Sequence, residues 1–198
     1  MQTSPGASRE LPAARLAERL RSRDTSALAD WYREEHPPVF RLCLAILANH
    51  TDAEDLAQDA MLHLADHLDQ WDPTRPYLPW RSRVVLNLTR DWRRRAAARR
   101  LQAAPMPELP SRLPAPDSAA ERAEISGAVE AVMGALPERE REAFVLHDLQ
   151  GLDAHETAEA MEIGTSTVRS LLTLARRRLR GLLAPRLQPA DEGGARRV

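Results

Sequence analysis

Apolar residues recur at intervals of three and four along nearly the whole chain, and no stretch alternates apolar with polar as a strand would. The pattern predicts an all-α protein. Residues 1–10 are expected to be disordered, and 11–23 to form a short amphipathic helix through Leu11, Leu16 and Leu20. A helix over 25–35 should turn Leu28, Trp31 and Tyr32 inward, and Pro37 and Pro38 should break it. A second, over 38–49, carries Val39, Leu42, Cys43, Ile46 and Leu47 on one side. The third opens on a capping box, Thr51-Asp-Ala-Glu54, and runs to about 70. Three prolines between Trp71 and Pro79 predict a loop before a fourth helix over 80–100, with Trp80, Val84, Leu88 and Trp92 as its core stripe.

Residues 101–117 hold five prolines and little periodicity, as a linker does. A second helical set follows over 118–135, 138–149, 154–161 and 165–184, with Pro137 placed to start its second helix. The tail 185–198 carries Pro and Gly and should fray. Seven of the eight aromatic residues lie between Trp31 and Trp92, so two small helical domains with different core chemistry are expected.

Composition narrows the class. A single cysteine, Cys43, excludes an internal disulfide framework and a cysteine-based zinc site. No apolar run is long enough to span a membrane, and the N-terminus lacks an apolar signal core, so a soluble, cytoplasmic protein is expected. The net charge of −1 hides segregation. Residues 52–72 hold seven acids and no base, and 81–100 hold eight Arg against Asp91. Residues 117–162 hold twelve acids against three Arg, and 165–186 hold six Arg and no acid. Each half therefore runs from an acidic element to a basic one. Every basic residue is Arg and none is Lys, a bias that a GC-rich genome also produces.

At about 100° per residue, Ala53, Leu56, Ala57, Ala60, Leu64 and Leu68 share one arc of the third helix. Asp52, Asp55, Asp59 and Asp66 line the opposite arc, with Leu62 beside them, a pattern suited to docking on a basic protein surface. The fourth helix interleaves Arg81, Arg83, Arg90, Arg93, Arg94 and Arg95 with Asn87 and Asp91. Arginines neutralise phosphate and aromatic rings stack on bases, the two requirements of single-stranded DNA binding. Trp80 reads as core, leaving Trp71 and Tyr77 as the contact candidates. Farther on, Asp153-Ala-His-Glu156 is a capping box, Gly164 should supply the special angle of a tight turn, and Thr165-Ser-Thr-Val-Arg-Ser170 opens a basic helix. Short helix, tight turn and longer basic helix make a helix-turn-helix. Val168, Leu171 or Leu172, Ala175 and Leu179 should pack inward. Ser166, Thr167, Arg169, Ser170, Thr173, Arg176 and Arg177 remain for DNA.

These segments together resemble the extracytoplasmic-function (group 4) RNA polymerase sigma factors. Asp52-Ala-Glu-Asp-Leu-Ala-Gln-Asp59 is similar to an acidic segment of the family's domain 2. Trp80 to Arg95 resembles its −10-reading helix. Leu136-Pro-Glu-Arg-Glu-Arg141, Gly151-Leu-Asp-Ala-His-Glu-Thr-Ala158 and Thr167-Val-Arg-Ser170 resemble successive parts of domain 4. The resemblance implies an N-terminal extension at 1–23, domain 2 at 24–100, a linker at 101–117, domain 4 at 118–184 and a tail at 185–198. It implies no enzyme activity and no cofactor. Asp52, Glu54, Asp55, Gln58, Asp59 and Leu62 would meet the β′ clamp helices of core polymerase. Trp71, Tyr77, Arg83, Asn87, Arg90, Asp91 and Arg94 would melt the −10 element and hold its non-template strand, at a cost of a few kcal/mol per unstacked step. Ser166, Thr167, Arg169, Ser170, Thr173, Arg176 and Arg177 would read the −35 duplex. The acidic part of domain 4 would help dock on the β flap, and an anti-sigma protein is an expected partner. The chain departs from the family pattern at Tyr77, Pro79 and Arg81, where Phe, a hydroxyl residue and an apolar residue are usual.

Two other readings stand beside this one. A regulator using the helix-turn-helix alone would bind duplex DNA without polymerase, but leaves the acidic arc and the fourth helix without a role. An enzyme would need a nucleophile–base pair, a phosphate loop or a metal triad, and none is present in the sequence. His63 and His67, four apart on one helix with Cys43 as a candidate neighbour, are spaced for two metal ligands, yet HLADH lacks the metalloprotease Glu, and no metal is expected.

Overall fold

A computed structural model describes residues 25–102 and 117–187. The expected N-terminal helix at 11–23, most of the linker and most of the tail lie outside them. Among the described residues there are seven α-helices and no strand: α1 (Thr25–Leu47), α2 (His50–Asp66), α3 (Tyr77–Gln102), α4 (Asp117–Gly134), α5 (Glu138–Phe144), α6 (Ala154–Met161) and α7 (Thr165–Leu187). A 3₁₀ turn, Leu68–Gln70, follows α2, and a π-helical turn, Val145–Leu149, continues α5. None of these helices is long and apolar enough to cross a membrane.

The prolines do not break α1, which runs through both of them. Their missing N–H groups would have reached the carbonyls of Arg33 and Glu34, both on the exposed face, where water replaces the lost bonds. The apolar face carries the helix across the gap through buried Trp31, Val39, Leu42, Cys43 and Ile46. Leu28 and Tyr32, expected inward, stay exposed on this helix. The start of α2 also differs from expectation. Asn49, not Thr51, is the N-cap, and its side-chain oxygen accepts from the Asp52 N–H at 2.8 Å. Helix α3 begins at Tyr77, so Pro79 falls in the first turn, where its missing donor has no partner to lose.

The expected apolar arc of α2 is buried. On α3 the wholly buried positions are Ser82, Val85, Leu86 and Thr89, while Trp80, Val84, Leu88 and Trp92 pack on the core only in part. Helix α6 opens on Asp153, whose capping box with Glu156 is complete. Glu162, rather than Gly164, takes the left-handed conformation that ends α6, with φ of 58°. Its N–H and that of Ile163 bond to carbonyls of the last turn, which offsets a cost of about 1 kcal/mol. In α7, Val168, Leu172, Ala175 and Leu179 are buried, and Leu171 is half-buried.

The two halves share one contiguous apolar core. Val39, Leu42, Ile46 and Leu86 belong to the same cluster as Leu136, Val145, Leu146 and Met161. Helix α4 crosses close to the end of α1, where a Cβ added at Gly134 would meet the Cβ of Ala48 at 3.8 Å. A smaller cluster of Leu68, Trp71 and Tyr77, with Trp80 against it, closes the far end of the N-terminal half.

Candidate functional site

Three surfaces carry the residues singled out from the sequence. The first is the outer arc of α2. Burial of Ala53, Leu56, Ala57 and Ala60 on one side fixes the opposite side toward solvent. Glu54, Asp55, Gln58 and Asp59 are exposed there, Asp52 is half-buried at the first turn, and Leu62 is 66% exposed. His63 and His67 flank the row and stack at 3.9 Å. Burial and the neighbouring His67 both lower the His63 pKa. Among the described residues no group of three or more His, Cys, Asp or Glu side chains could hold a metal.

The second surface is α3, and here the structure redistributes the expected roles. Trp71 and Tyr77 are buried and cannot offer a face to a base in this conformation. The Trp71 indole donates to the Arg75 carbonyl at 3.1 Å and meets the Tyr77 ring edge-on at 5.3 Å. The Tyr77 ring also packs 5.6 Å from Trp80. Burial, with the Glu35 carboxylate adding to it, raises the Tyr77 phenol pKa. The two rings shape the loop from inside, because the three-proline segment has few other apolar groups to fold around. Arg83, Asn87 and Arg94 are exposed. Arg94 pairs with Asp91 one turn away.

Arg81, Arg83, Arg90 and Arg93 of α3 face the C-terminal half. Arg90 holds the Glu142 carboxylate through two hydrogen bonds, of 2.9 and 3.4 Å. Arg139 reaches the same carboxylate at 3.1 Å, and Arg93 stands 3.7 Å from it. Glu142 itself is 0% exposed. Arg93 also pairs with Glu138 at 2.7 Å, and Arg83 with Glu162 at 3.3 Å. Arg81 is buried, with Glu35 at 3.0 Å and the Gln150 side-chain oxygen at 2.8 Å. Arg93 and Arg141 both donate to the Ile46 carbonyl, and Arg141 also donates to that of Leu136. Burial and the adjacent Arg93 lower the Arg141 pKa. Glu142, Arg141 and Gln150 escaped the sequence reading because periodicity places them on a solvent arc. Only the approach of α3 to Glu142 and Gln150, and of the end of α1 to Arg141, gives them a role.

The third surface is the start of α7, held by α6 and the turn 162–164. Ser166, Thr167, Arg169, Ser170, Thr173 and Arg177 are exposed along it. Ser170 and Thr173 donate their hydroxyl hydrogens to the carbonyls of Ser166 and Arg169, which leaves their oxygens outward as acceptors. Arg176 is exposed but tied to Asp148, and Arg178 to the buried Glu140.

An acid-and-leucine arc, an arginine helix and a helix-turn-helix in one all-α chain define a two-region DNA-directed factor. The sigma-70 region 2 family matches residues 31–99, and the sigma-70 region 4 family matches residues 126–179. The chain is 31% identical to the ECF RNA polymerase sigma factor SigM of Mycobacterium tuberculosis, across 81% of this chain and 79% of that one. It is 30% identical to the ECF RNA polymerase sigma factor SigE of Mycolicibacterium smegmatis, spanning 81% of this chain but only 64% of SigE, less than two thirds of its length. The fold is that of the sigma factor RpoE of Bartonella quintana, solved with the anti-sigma factor NepR. The TM-score is 0.61 at 19% identity, over 81% of this chain and 98% of that one. The chain belongs to the ECF RNA polymerase sigma factors.

Proposed function

We propose that this chain binds core RNA polymerase and directs it to promoters, melting the −10 element and reading the −35 element as duplex. The observation that carries the reading is the division of charge over separate exposed faces: acid with Leu62 on α2, arginine on α3 and on the first turns of α7. A protein that met DNA alone would gain nothing from the acidic arc, because it repels phosphate. Asp52, Glu54, Asp55, Gln58, Asp59 and Leu62 dock on the β′ clamp helices. Arg83, Asn87 and Arg94, joined by Arg90 and Asp91, hold the non-template strand, and the buried Trp71 and Tyr77 support the loop beside it. Ser166, Thr167, Arg169, Ser170, Thr173, Arg176 and Arg177 face the −35 groove. The chain makes and breaks no bond, acts in the cytoplasm and leaves catalysis to the polymerase.

An anti-sigma partner fits the same reading. A groove of about 770 Å³ between α1, α2 and α4 includes Phe40, Leu44, Val129 and the exposed Ile125 and Leu149. RpoE, which shares the fold, was solved with such a partner. Run-off transcription on genomic fragments with purified core polymerase tests the function. Promoter-dependent transcripts that need this chain are expected, and their absence with active core would refute it.

A further inference from the structure

Tyr77 and Arg81 depart from the family pattern one helical turn apart, and both are buried at the start of α3. Arg81 donates from Nη1 to the Glu35 carboxylate on α1 at 3.0 Å, and from Nη2 to the Gln150 side-chain oxygen at 2.8 Å. The charges of Glu35 and Arg81 both act on the phenol of Tyr77. The Tyr77 ring meets Trp71 edge-on at 5.3 Å, and the Trp71 indole donates to the Arg75 carbonyl at 3.1 Å. A continuous path of contacts thus runs from α1, through Arg81, Tyr77 and Trp71, to the backbone of the proline-rich loop. The loop exposes Asp72, Thr74 and Arg75. Asp72 accepts from the Thr74 N–H at 2.9 Å and from the Thr74 hydroxyl at 2.7 Å. Both of those bonds are internal to the loop, so they shape its crown without orienting it on the helices.

A buried ion pair is a poor source of stability, because desolvation offsets its attraction and well-packed apolar side chains do as well or better. Here the Arg81 Nε–H is also without a hydrogen-bond partner, which adds to the cost. What the pair supplies is direction, since a charge-assisted hydrogen bond fixes distance and angle as an apolar contact does not. We propose that Arg81, held by Glu35, is a positioning residue for −10 recognition: it sets Tyr77 and Trp71, and through them the angle at which the crown Asp72 to Arg75 meets the base it discriminates. This inference rests on the reading that the loop lies beside the −10 strand. In this role neither Arg81 nor Glu35 touches DNA. The tie to Glu35 lies wholly within the N-terminal half, so the bond from Gln150 is not needed for it. Apolar replacement of the pair keeps the packing and loses the direction.

The test uses holoenzyme made from core polymerase and the full chain, on a genomic promoter that the unmutated holoenzyme transcribes. Each position of its −10 element, and separately of its −35 element, is randomised, and barcoded transcripts report the base preference. Thermal melting of each full chain is measured alongside. Glu35→Leu with Arg81→Leu removes the pair without leaving a lone buried charge. Glu35→Gln keeps an acceptor for Arg81 but not the charge, and Gln150→Ala removes only the contact from the C-terminal half. The unmutated chain should favour one base by about tenfold at one or more −10 positions. The double-leucine chain should melt at the same temperature or higher and favour that base by about threefold or less, with its −35 preference unchanged. Glu35→Gln should fall between the two, and Gln150→Ala should match the unmutated chain. An unchanged −10 preference in the double-leucine chain, or in Glu35→Gln where the double-leucine chain does not fold, would overturn the inference. So would an equal loss at −10 and −35, which marks a general loss of structure, or the same −10 loss in Gln150→Ala. An unmutated chain that transcribes with no base preference at −10 would overturn it too. No promoter-dependent transcript from the unmutated chain with active core would instead refute the sigma-factor reading, so the two failures are distinct.

Discussion

Arg176 on α7 grips Asp148 with two hydrogen bonds, from Nε at 2.8 Å and Nη2 at 2.6 Å, and so ties the helix expected to read DNA to the π-helical turn after α5. The Arg176 bonds hold the Asp148 carboxyl below its usual range, against the opposing effect of burial, and His147 adds to them. The pair also raises the Arg176 pKa, with the Asp148 hydrogen bond as the main cause.

The sign of the pH effect follows. A carboxyl whose pKa is lower in the folded state stabilises the fold fully above its ordinary value of 3.8 and loses that contribution as pH falls through the lower folded value. Asp148→Asn should therefore lower the melting temperature at about pH 6, and the gap to the unmutated protein should close in the acid range below 3.8. Melting curves across that range check it, and a gap of constant size would contradict the assignment.

Asp55→Arg with Asp59→Arg should abolish retention of this chain on immobilised core polymerase. Both side chains are exposed, so stability should change by no more than about 0.5 kcal/mol per substitution. Undiminished retention would remove the α2 arc from the polymerase interface.

Trp71→Ala should destabilise the protein by about 3–5 kcal/mol in urea unfolding, because it empties the cluster of Leu68, Tyr77 and Trp80 and leaves the Arg75 carbonyl without its donor. A stacking residue on the surface would lose DNA affinity with little loss of stability, so the two roles separate cleanly.

Cys43 is 0% exposed, and burial pushes its thiol pKa up to about 12. A disulfide reagent at neutral pH should leave the folded chain unmodified and react in proportion to the unfolded fraction as denaturant is added. Rapid modification without denaturant would show that the core of α1 opens locally.

The sequence alone determined the helical class, the buried arc of α2, the capped start of α6 and the inward face of α7. Each depends on residues within a few turns of one another, and helical periodicity reports such relations directly. The family was legible for the same reason, since its motifs are local strings such as Asp52 to Asp59. Local rules misjudged Pro37 and Pro38, where an apolar face some twenty residues long outweighs two lost bonds on a wet surface. They also gave the left-handed turn to Gly164 when the bonding of the α6 end assigns it to Glu162.

The tertiary structure decided what faces what. Periodicity cannot tell a solvated arc from one covered by a distant helix, so Arg81, Arg90 and Arg93 read as free bases and Glu142 as a solvated acid. Packing sets the two halves on one core and brings Arg90 and Arg93 within 2.9–3.7 Å of Glu142 and Arg81 within 2.8 Å of the Gln150 side-chain oxygen, across about fifty residues of chain or more. Trp71 and Tyr77 reversed roles on the same ground: a large ring beside prolines is equally a surface platform or a local core, and only the neighbours that surround it settle which. Charge segregation was written in the chain, while the cancellation of one block by another required the fold.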